Sequence, residues 1–353
     1  MDERNRLEPL FSCAAEYRFG AFTRLFSKLE SNPAGTPSEA YLLRAQIKLF
    51  AADESCADDL DKAGAAGAVP LHPCLGGIWM ADCPNRIVVF SKAPGALERF
   101  LGALPRTSTL LEGWYGETGR GMASQIQSEI LYYAGRFDEA VGIAETQLCP
   151  GREDETNTLL ALCTLYRCHL ATGKPDKAEQ CMLDMITFAS THPKYLDQYK
   201  IIREWANLTT GWSGDTPRFA SGVRGETIPV LEDRLEAIRH GISCPSPLEA
   251  PFTAYAQVGY ADAYPLRQYY MDVFNAVYWF QAGDIPQSEA FFKSAYEAAV
   301  NSGLIMPIVE YGVQIVPLLE HALQNGIIHS EKWAGRISDL AHQYEKNLGI
   351  YRA

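Results

Sequence analysis

Ala134-Gly135-Arg136-Phe137-Asp138-Glu139-Ala140, Thr172-Gly173-Lys174-Pro175-Asp176-Lys177-Ala178 and Ala282-Gly283-Asp284-Ile285-Pro286-Gln287-Ser288 follow one pattern. In each, a short residue precedes Gly, and a second short residue stands five positions after that Gly. Gly accepts the left-handed backbone that ends a helix, and a small side chain lets the following helix fold back closely. The three stretches therefore predict the turns of helical hairpins. Gly135 and Gly173 lie 38 residues apart (173 − 135), and Gly283 lies 110 further on (283 − 173), close to three such intervals.

A recurrence of about 34 to 40 residues is the period of tetratricopeptide-like arrays, in which each hairpin packs on its neighbours. The expected fold class is all-α, a TPR-like α-α superhelix forming a single helical-repeat domain over residues 1–353. Within it, 1–69 reads as N-terminal hairpins, 70–121 as an irregular helical segment and 122–210 as regular hairpins. A loop-rich break is expected over 211–247, then C-terminal hairpins and a closing helix over 248–353.

The first hairpin is expected to span Leu7 to Leu29 with its turn at Arg18-Phe19-Gly20-Ala21. A second runs from Ser38 through Phe50, turns at Ala51-Ala52-Asp53 and continues to Lys62. The acidic residues Asp53, Glu54, Asp58, Asp59 and Asp61 stand where exposed helical N–H groups favour carboxylates, which predicts a solvated cap. From Ala63 to Gly121, glycines and prolines including Pro94 and Pro105 interrupt the periodicity, so short helices joined by loops are expected. Ile87-Val88-Val89-Phe90 has strand propensity but no partner strand, and is assigned to a buried helix. Pro265 to Ala282 is apolar nearly all round, as in a helix sandwiched between neighbours. The last helix, capped by Ser330, carries Trp333, Ile337, Leu340, Tyr344 and Leu348 on one stripe.

Composition excludes several classes. An apolar fraction of 47% and a charged fraction of 21% suit a chain with a sizeable core. A formal charge of −12 opposes direct binding of a polyanion, which needs a surplus of Lys and Arg on one face. No targeting segment or membrane span is read, so no membrane partner and a cytoplasmic location are expected. Nine Cys without a C-x-x-C pair suggest reduced thiols, no structural metal and no disulfide framework.

Chemical motifs are sparse, and no catalytic residue, cofactor or metal site is assigned. Gly116-Glu117-Thr118-Gly119-Arg120-Gly121 has the look of a phosphate loop, but Met122-Ala123 stand where Lys-Ser/Thr should follow, and a flexible lead-in to the next helix is the better reading. Cys163 and Cys168 differ by five residues, roughly 140° around a helix, so they do not face one centre. His169, four residues before Gly173, is expected to be packed and hydrogen-bonded. His72, Cys74, Asp82 and Cys83 lack metal-ligand spacing. Glu153, Asp154 and Glu155 are explained as capping carboxylates. Neither G-x-S-x-G nor H-E-x-x-H occurs, so an enzyme is not expected. The candidate ligand-binding set is aromatic: Trp205, Trp212, Tyr255, Tyr260, Tyr264 and Tyr270, with Arg267 and Asn275 as polar contacts, placed in the groove of the superhelix. The bland alternative is that such aromatics fill hairpin cores.

Four stretches carry a resemblance. They are Val88-Val89-Phe90-Ser91-Lys92-Ala93-Pro94-Gly95 ahead of Leu97; Gly119-Arg120-Gly121 leading to Ser128-Glu129-Ile130-Leu131-Tyr132-Tyr133-Ala134-Gly135-Arg136-Phe137-Asp138-Glu139-Ala140; Met306-Pro307-Ile308-Val309-Glu310-Tyr311-Gly312 before Pro317-Leu318-Leu319-Glu320; and Tyr344-Glu345-Lys346-Asn347-Leu348. In order and spacing they resemble the helical-repeat region of LuxR-type transcriptional regulators of the MalT-like class, over roughly Ile78 to Leu348. The resemblance implies a sensing or scaffold segment, with DNA contacted only through a helix-turn-helix domain absent from these residues; the chain ends where that domain would begin. No Walker motif is present, and no ligand residue of the family transfers position by position. The implied partners are a small-molecule effector or a protein or peptide in the groove, with self-association a further option. The competing expectation is a stand-alone TPR-type scaffold.

Overall fold

The computed structural model describes residues 9–10, 19–31, 36–65, 93–148, 155–196, 199, 202–203, 206 and 265–352. Among the described residues there are thirteen α-helices and no strand. The first three are α1 (Phe19–Glu30), α2 (Ser38–Phe50) and α3 (Cys56–Ala65). Then follow α4 (Ala96–Tyr115), α5 (Glu117–Tyr133), α6 (Phe137–Gln147), α7 (Glu155–Ala171) and α8 (Pro175–Thr191). The C-terminal part holds α9 (Pro265–Ala282), α10 (Ile285–Ser302), the single turn α11 (Met306–Val309), α12 (Val316–Gln324) and α13 (Glu331–Arg352). The assignments for Ile87-Val88-Val89-Phe90, for His72, Cys74, Asp82 and Cys83, and for the break at 211–247 lie outside the described residues.

Gly135, Gly173 and Gly283 have φ of 74°, 67° and 82°, the left-handed backbone at which α5, α7 and α9 end. Their partners α6, α8 and α10 fold back against them as antiparallel neighbours. The short residues at the second helices are buried: Ala140, Ala178 and Ser288 are each 0% exposed, and the Ser288 hydroxyl donates to the Ala276 carbonyl at 2.7 Å.

Three local expectations are corrected. Phe19, Gly20 and Ala21, read as a turn, are helical in α1. One Gly among helix-forming residues costs only about 1 kcal/mol, too little to break a helix that continues with apolar residues at helical spacing. Pro105 does not divide 63–121 into short helices, since it lies inside the 20-residue α4. The helix tolerates the lost N–H because Phe100, Leu104, Thr107 and Leu111 bury one continuous face. Glu117 to Gly121, expected to be a flexible lead-in, form the start of α5. Gly119 is needed there for proximity: a Cβ at that position would overlap the carbonyl of Leu111, so α4 and α5 meet backbone to backbone across the corner at Gly116.

The acidic run around α3 is also corrected in part. Asp53 does accept from the backbone N–H and hydroxyl of Ser55. Asp59, however, is 0% exposed and takes a two-pronged contact from Arg44 at 2.6 and 2.7 Å, with Lys48 at 2.9 Å. Arg44 in turn lies 3.8 Å from the centroid of the Phe26 ring. Asp58 and Asp61 remain at the surface and pair with Arg106 of α4. A carboxylate on the inward face of α3 is stable only because α2 delivers two cations to it.

The prediction from these packing constraints contrasts two helical glycines. Gly119→Ala should lower unfolding stability by roughly 1 to 3 kcal/mol through overpacking. Gly142→Ala, in α6 with open space around an added methyl group, should raise it by about 0.5 to 1 kcal/mol. Urea titrations of the two variants check the pair, and equal effects would contradict the α4–α5 contact.

Candidate functional site

The C-terminal part of the chain returns to the hairpins formed by α5 to α8, and the place where it does so is a buried polar cluster. Tyr132 and Tyr133 end α5, one helical step apart, so two phenols face the interior from adjacent directions. Arg167 comes from α7, where it stands in a largely apolar run from Leu159 to Ala171 that is broken otherwise only by Thr164 and His169. Tyr269 and Tyr270 come from α9, and Glu310 caps the C-terminus of α11.

Arg167 and Glu310 have side chains 4% and 8% exposed and make an ion pair at 2.9 Å. The Glu310 carboxylate also receives the Tyr132 hydroxyl on Oε1 at 2.5 Å and the Tyr270 hydroxyl on Oε2 at 2.7 Å. The guanidinium donates to the Tyr133 hydroxyl at 3.0 Å and to the Tyr270 hydroxyl at 3.2 Å. It lies 4.3 Å from the Tyr132 ring centroid and 4.9 Å from that of Tyr133, within cation–π range of both. Two backbone contacts hold the incoming segment: Ile305 N–H donates to the Tyr133 carbonyl at 2.7 Å, and the Tyr269 hydroxyl donates to the Leu304 carbonyl at 2.9 Å.

Burial, with the Glu310 carboxylate acting second, raises Tyr132 and Tyr270 well above the ordinary tyrosine range. Burial raises Tyr133 as well, although Arg167 pulls against it. Burial opposes the Arg167 charge, but its phenol and carboxylate neighbours more than restore it. All three phenols therefore stay protonated, Tyr132 and Tyr270 as donors to Glu310 and Tyr133 as acceptor from Arg167, and the arginine stays charged across the physiological range. The cluster gathers two phenols and a guanidinium on one carboxylate, with a third phenol on the guanidinium.

A second interior network lies along the same helices. Gln125 Nε2 donates to Glu129 at 2.8 Å and to Thr164 at 3.2 Å, while Gln147 donates to the Gln125 carbonyl oxygen at 3.2 Å. The last helix is keyed into the hairpin turns. Asn347 donates to the Ala171 carbonyl at 2.7 Å, its amide oxygen packed where a Cβ on Gly173 would stand. Arg336 reaches the Ala134 carbonyl at 3.5 Å beside Gly135, and Glu345 covers Gly312.

Of the ligand-binding residues expected from sequence, Trp205, Trp212, Tyr255, Tyr260 and Tyr264 lie outside the described residues. Arg267 belongs to α9. Tyr270, expected in an open groove, turns its hydroxyl onto Glu310 and Arg167, because a buried phenol needs a polar partner. Asn275 is only 6% exposed and faces the packed interior of α9. Sequence reasoning missed Arg167, Glu310, Tyr132 and Tyr133 as a group. The available signal was Arg167 itself, since a single charge within an apolar helix requires a buried partner.

Cys163, Cys168 and Cys181 are buried, and burial pushes the Cys181 thiol up to about 12, away from thiolate reactivity. Among the described residues no group of three or more His, Cys, Asp or Glu could hold a metal ion. His169 is packed as expected, at 4% exposure, but its Nδ1 has no hydrogen-bond partner. No helix among the described residues is long and apolar enough to cross a membrane. No protein-family model matches this chain, and no curated protein matches it.

Two predictions follow from the geometry. Arg167→Met strands the Glu310 carboxylate in the interior and should cost roughly 3 to 5 kcal/mol in a urea titration. A loss below about 1 kcal/mol, the level of an exposed pair, would contradict a buried one. Burial, with Lys177 and Lys174 adding to it, depresses His169 from 6.5 to about 4. The unfolded chain then takes up this proton before the folded one, so the His169 contribution is complete above pH 6.5 and lost as pH falls toward 4. Stability should fall with a slope of up to about 1.4 kcal/mol per pH unit across that window. His169→Phe should remove this component, measured as the wild-type-minus-variant difference at pH 7 and pH 5.

Proposed function

We propose that this chain is a non-enzymatic effector-sensing and protein-interaction segment of a LuxR-type, MalT-like transcriptional regulator. On this reading its hairpins form a TPR-like superhelix, and DNA is contacted only through a helix-turn-helix domain outside these residues. The observation that carries the proposal is where the stretches that resemble the family meet. Leu97, following the first stretch, packs against Gly303. Tyr132 and Tyr133 of the second hold Glu310 and Ile305, and Glu310 belongs to the third. Glu345 and Asn347 of the fourth seat on Gly312 and Gly173. Residues far apart in the chain thus converge on one assembly that fixes α13 relative to the hairpins.

Such an arrangement suits relay. A ligand that favours one packing of α5, α7 and α9 over another changes the seat of α13, and the differential affinity sets the size of the response. The concentration of hydrogen-bond donors among these helices supports the sensing reading.

A thermal-shift screen of the 353-residue chain against maltooligosaccharides, short peptides and common metabolites tests the proposal, followed by hydrogen exchange over 331–352 with each hit. One ligand class should raise Tm and alter exchange in α13. If no small molecule shifts Tm, while a purified partner protein binds stoichiometrically without changing exchange in α13, the chain is a stand-alone TPR-type scaffold instead.

A further inference from the structure

We propose that the Arg167 cage is a carboxylate-binding site occupied in this structure by the chain's own Glu310, and that its free ligand is a small monocarboxylate. The proposal names the ligand chemistry of the sensor reading and rests on that reading for its biological role alone.

Donors and acceptor come from different parts of the chain. Tyr132, Arg167 and Tyr270 are supplied by three helices, α5, α7 and α9, while the carboxylate arrives on the connector that follows α11. The cage binds both oxygens of one carboxylate: Oε1 takes Tyr132 and Arg167, and Oε2 takes Tyr270. Tyr133 receives the other arm of the guanidinium and holds its plane. This is how a receptor presents donors to a ligand, with the charged donor oriented in advance by a neutral one.

Charge sets the ligand class. The cage supplies one fixed positive charge and neutral phenols, so a monoanion leaves it balanced. A phosphate or sulfate dianion would leave a net negative charge in a mostly buried space. A neutral amide would lose the charge-assisted bond to Arg167. Size sets it further, because the rings of Tyr132 and Tyr133 wall the guanidinium at 4.3 and 4.9 Å.

Exchange of occupant needs little movement. Met306, Pro307, Ile308 and Val309 are buried, and Glu310 alone in α11 and its cap is not fully so. Exchange requires the Glu310 side chain to turn outward, while the four buried residues hold α11 itself in place.

Chemical rescue tests the assignment. Glu310→Ala empties the cage and leaves its donors, and Tm is then followed against sodium acetate, with sodium chloride and sulfate at matched ionic strength. Acetate should raise the Tm of Glu310→Ala saturably by several degrees beyond either control salt. It should raise the wild type less, because Glu310 competes for the cage, and should not raise the double variant Arg167→Met/Glu310→Ala, which lacks the cation, beyond the control salts. A rise no larger than in chloride, a matching rise in sulfate, or an equal rise in all three proteins overturns the proposal. If Glu310→Ala does not fold in chloride, the same salts are compared by refolding yield in near-UV circular dichroism, and equal yields in acetate and chloride also overturn it. The outcome is separable from the ligand screen on the wild type. Absent rescue removes the carboxylate assignment and leaves the sensor reading, whereas an unresponsive screen removes the sensor reading and leaves the rescue.

Discussion

Arg167 cannot shed its charge, and everything around it follows from that constraint. A guanidinium has no accessible neutral form, so a helix that buries one must receive a carboxylate or be destabilised by several kcal/mol. Arg167 is four residues from the end of α7, and its carboxylate lies 143 positions later in sequence. The segment from 304 to 310 is therefore obliged to cross α5 and α7. Once it crosses, Ile305 meets the Tyr133 carbonyl and Gly303 meets Leu97, contacts that need the backbone to pass at close range.

The same crossing sets the course of α13. Arg336 and Asn347 are eleven residues apart (347 − 336) and serve the carbonyls that precede Gly135 and Gly173. Eleven residues at 100° each make three turns and about 20° more, so both side chains lie on one face, roughly 16 Å apart along the axis. The 38-residue interval between hairpin turns is thus matched by a three-turn interval on the helix that spans them. Helix ends expose carbonyls without intrahelical partners, and a helix whose two side chains reach successive ends ties the spacing between the hairpins to its own rise.

How much of this could be read from sequence depends on how local its cause is. The turns at Gly135, Gly173 and Gly283 were legible because a left-handed residue between two helices leaves a signature within seven positions. The limits of α2, α9 and α13 were legible from periodicity and caps, including the Ser330 hydroxyl that receives the Trp333 N–H. Pro105 and Gly119 were misread because both are breakers by local rule and are overruled by packing: Pro105 by the buried face of α4, Gly119 by the backbone of Leu111. The cage was not legible, since a Tyr-Tyr pair, an isolated Arg and an isolated Glu have no fixed spacing when the fold brings them together over more than a hundred residues.

The chain buries a second ion cluster, and the difference between the two shows what distance contributes. Arg44, Lys48 and Asp59 lie within adjacent helices of one hairpin, fifteen residues from Arg44 to Asp59, and the Arg44 side chain remains 19% exposed. That cluster holds two helices that a short loop already keeps together, and water still reaches its edge. Arg167 and Glu310 close a loop of 143 positions. Closing 143 positions costs about 2 kcal/mol more chain entropy than closing fifteen, but a shift of a few positions hardly changes that cost, so length alone gives little preference for one docking position over its neighbours. The turns at Gly135, Gly173 and Gly283 share one backbone conformation, so the turns themselves also discriminate weakly among positions for α11 and α13. A buried charge discriminates sharply, because a register that moves Glu310 away leaves Arg167 without this carboxylate, and that penalty exceeds the difference between one apolar contact and another. One buried ion pair between distant segments is therefore enough to set where α11 seats on α5 and α7.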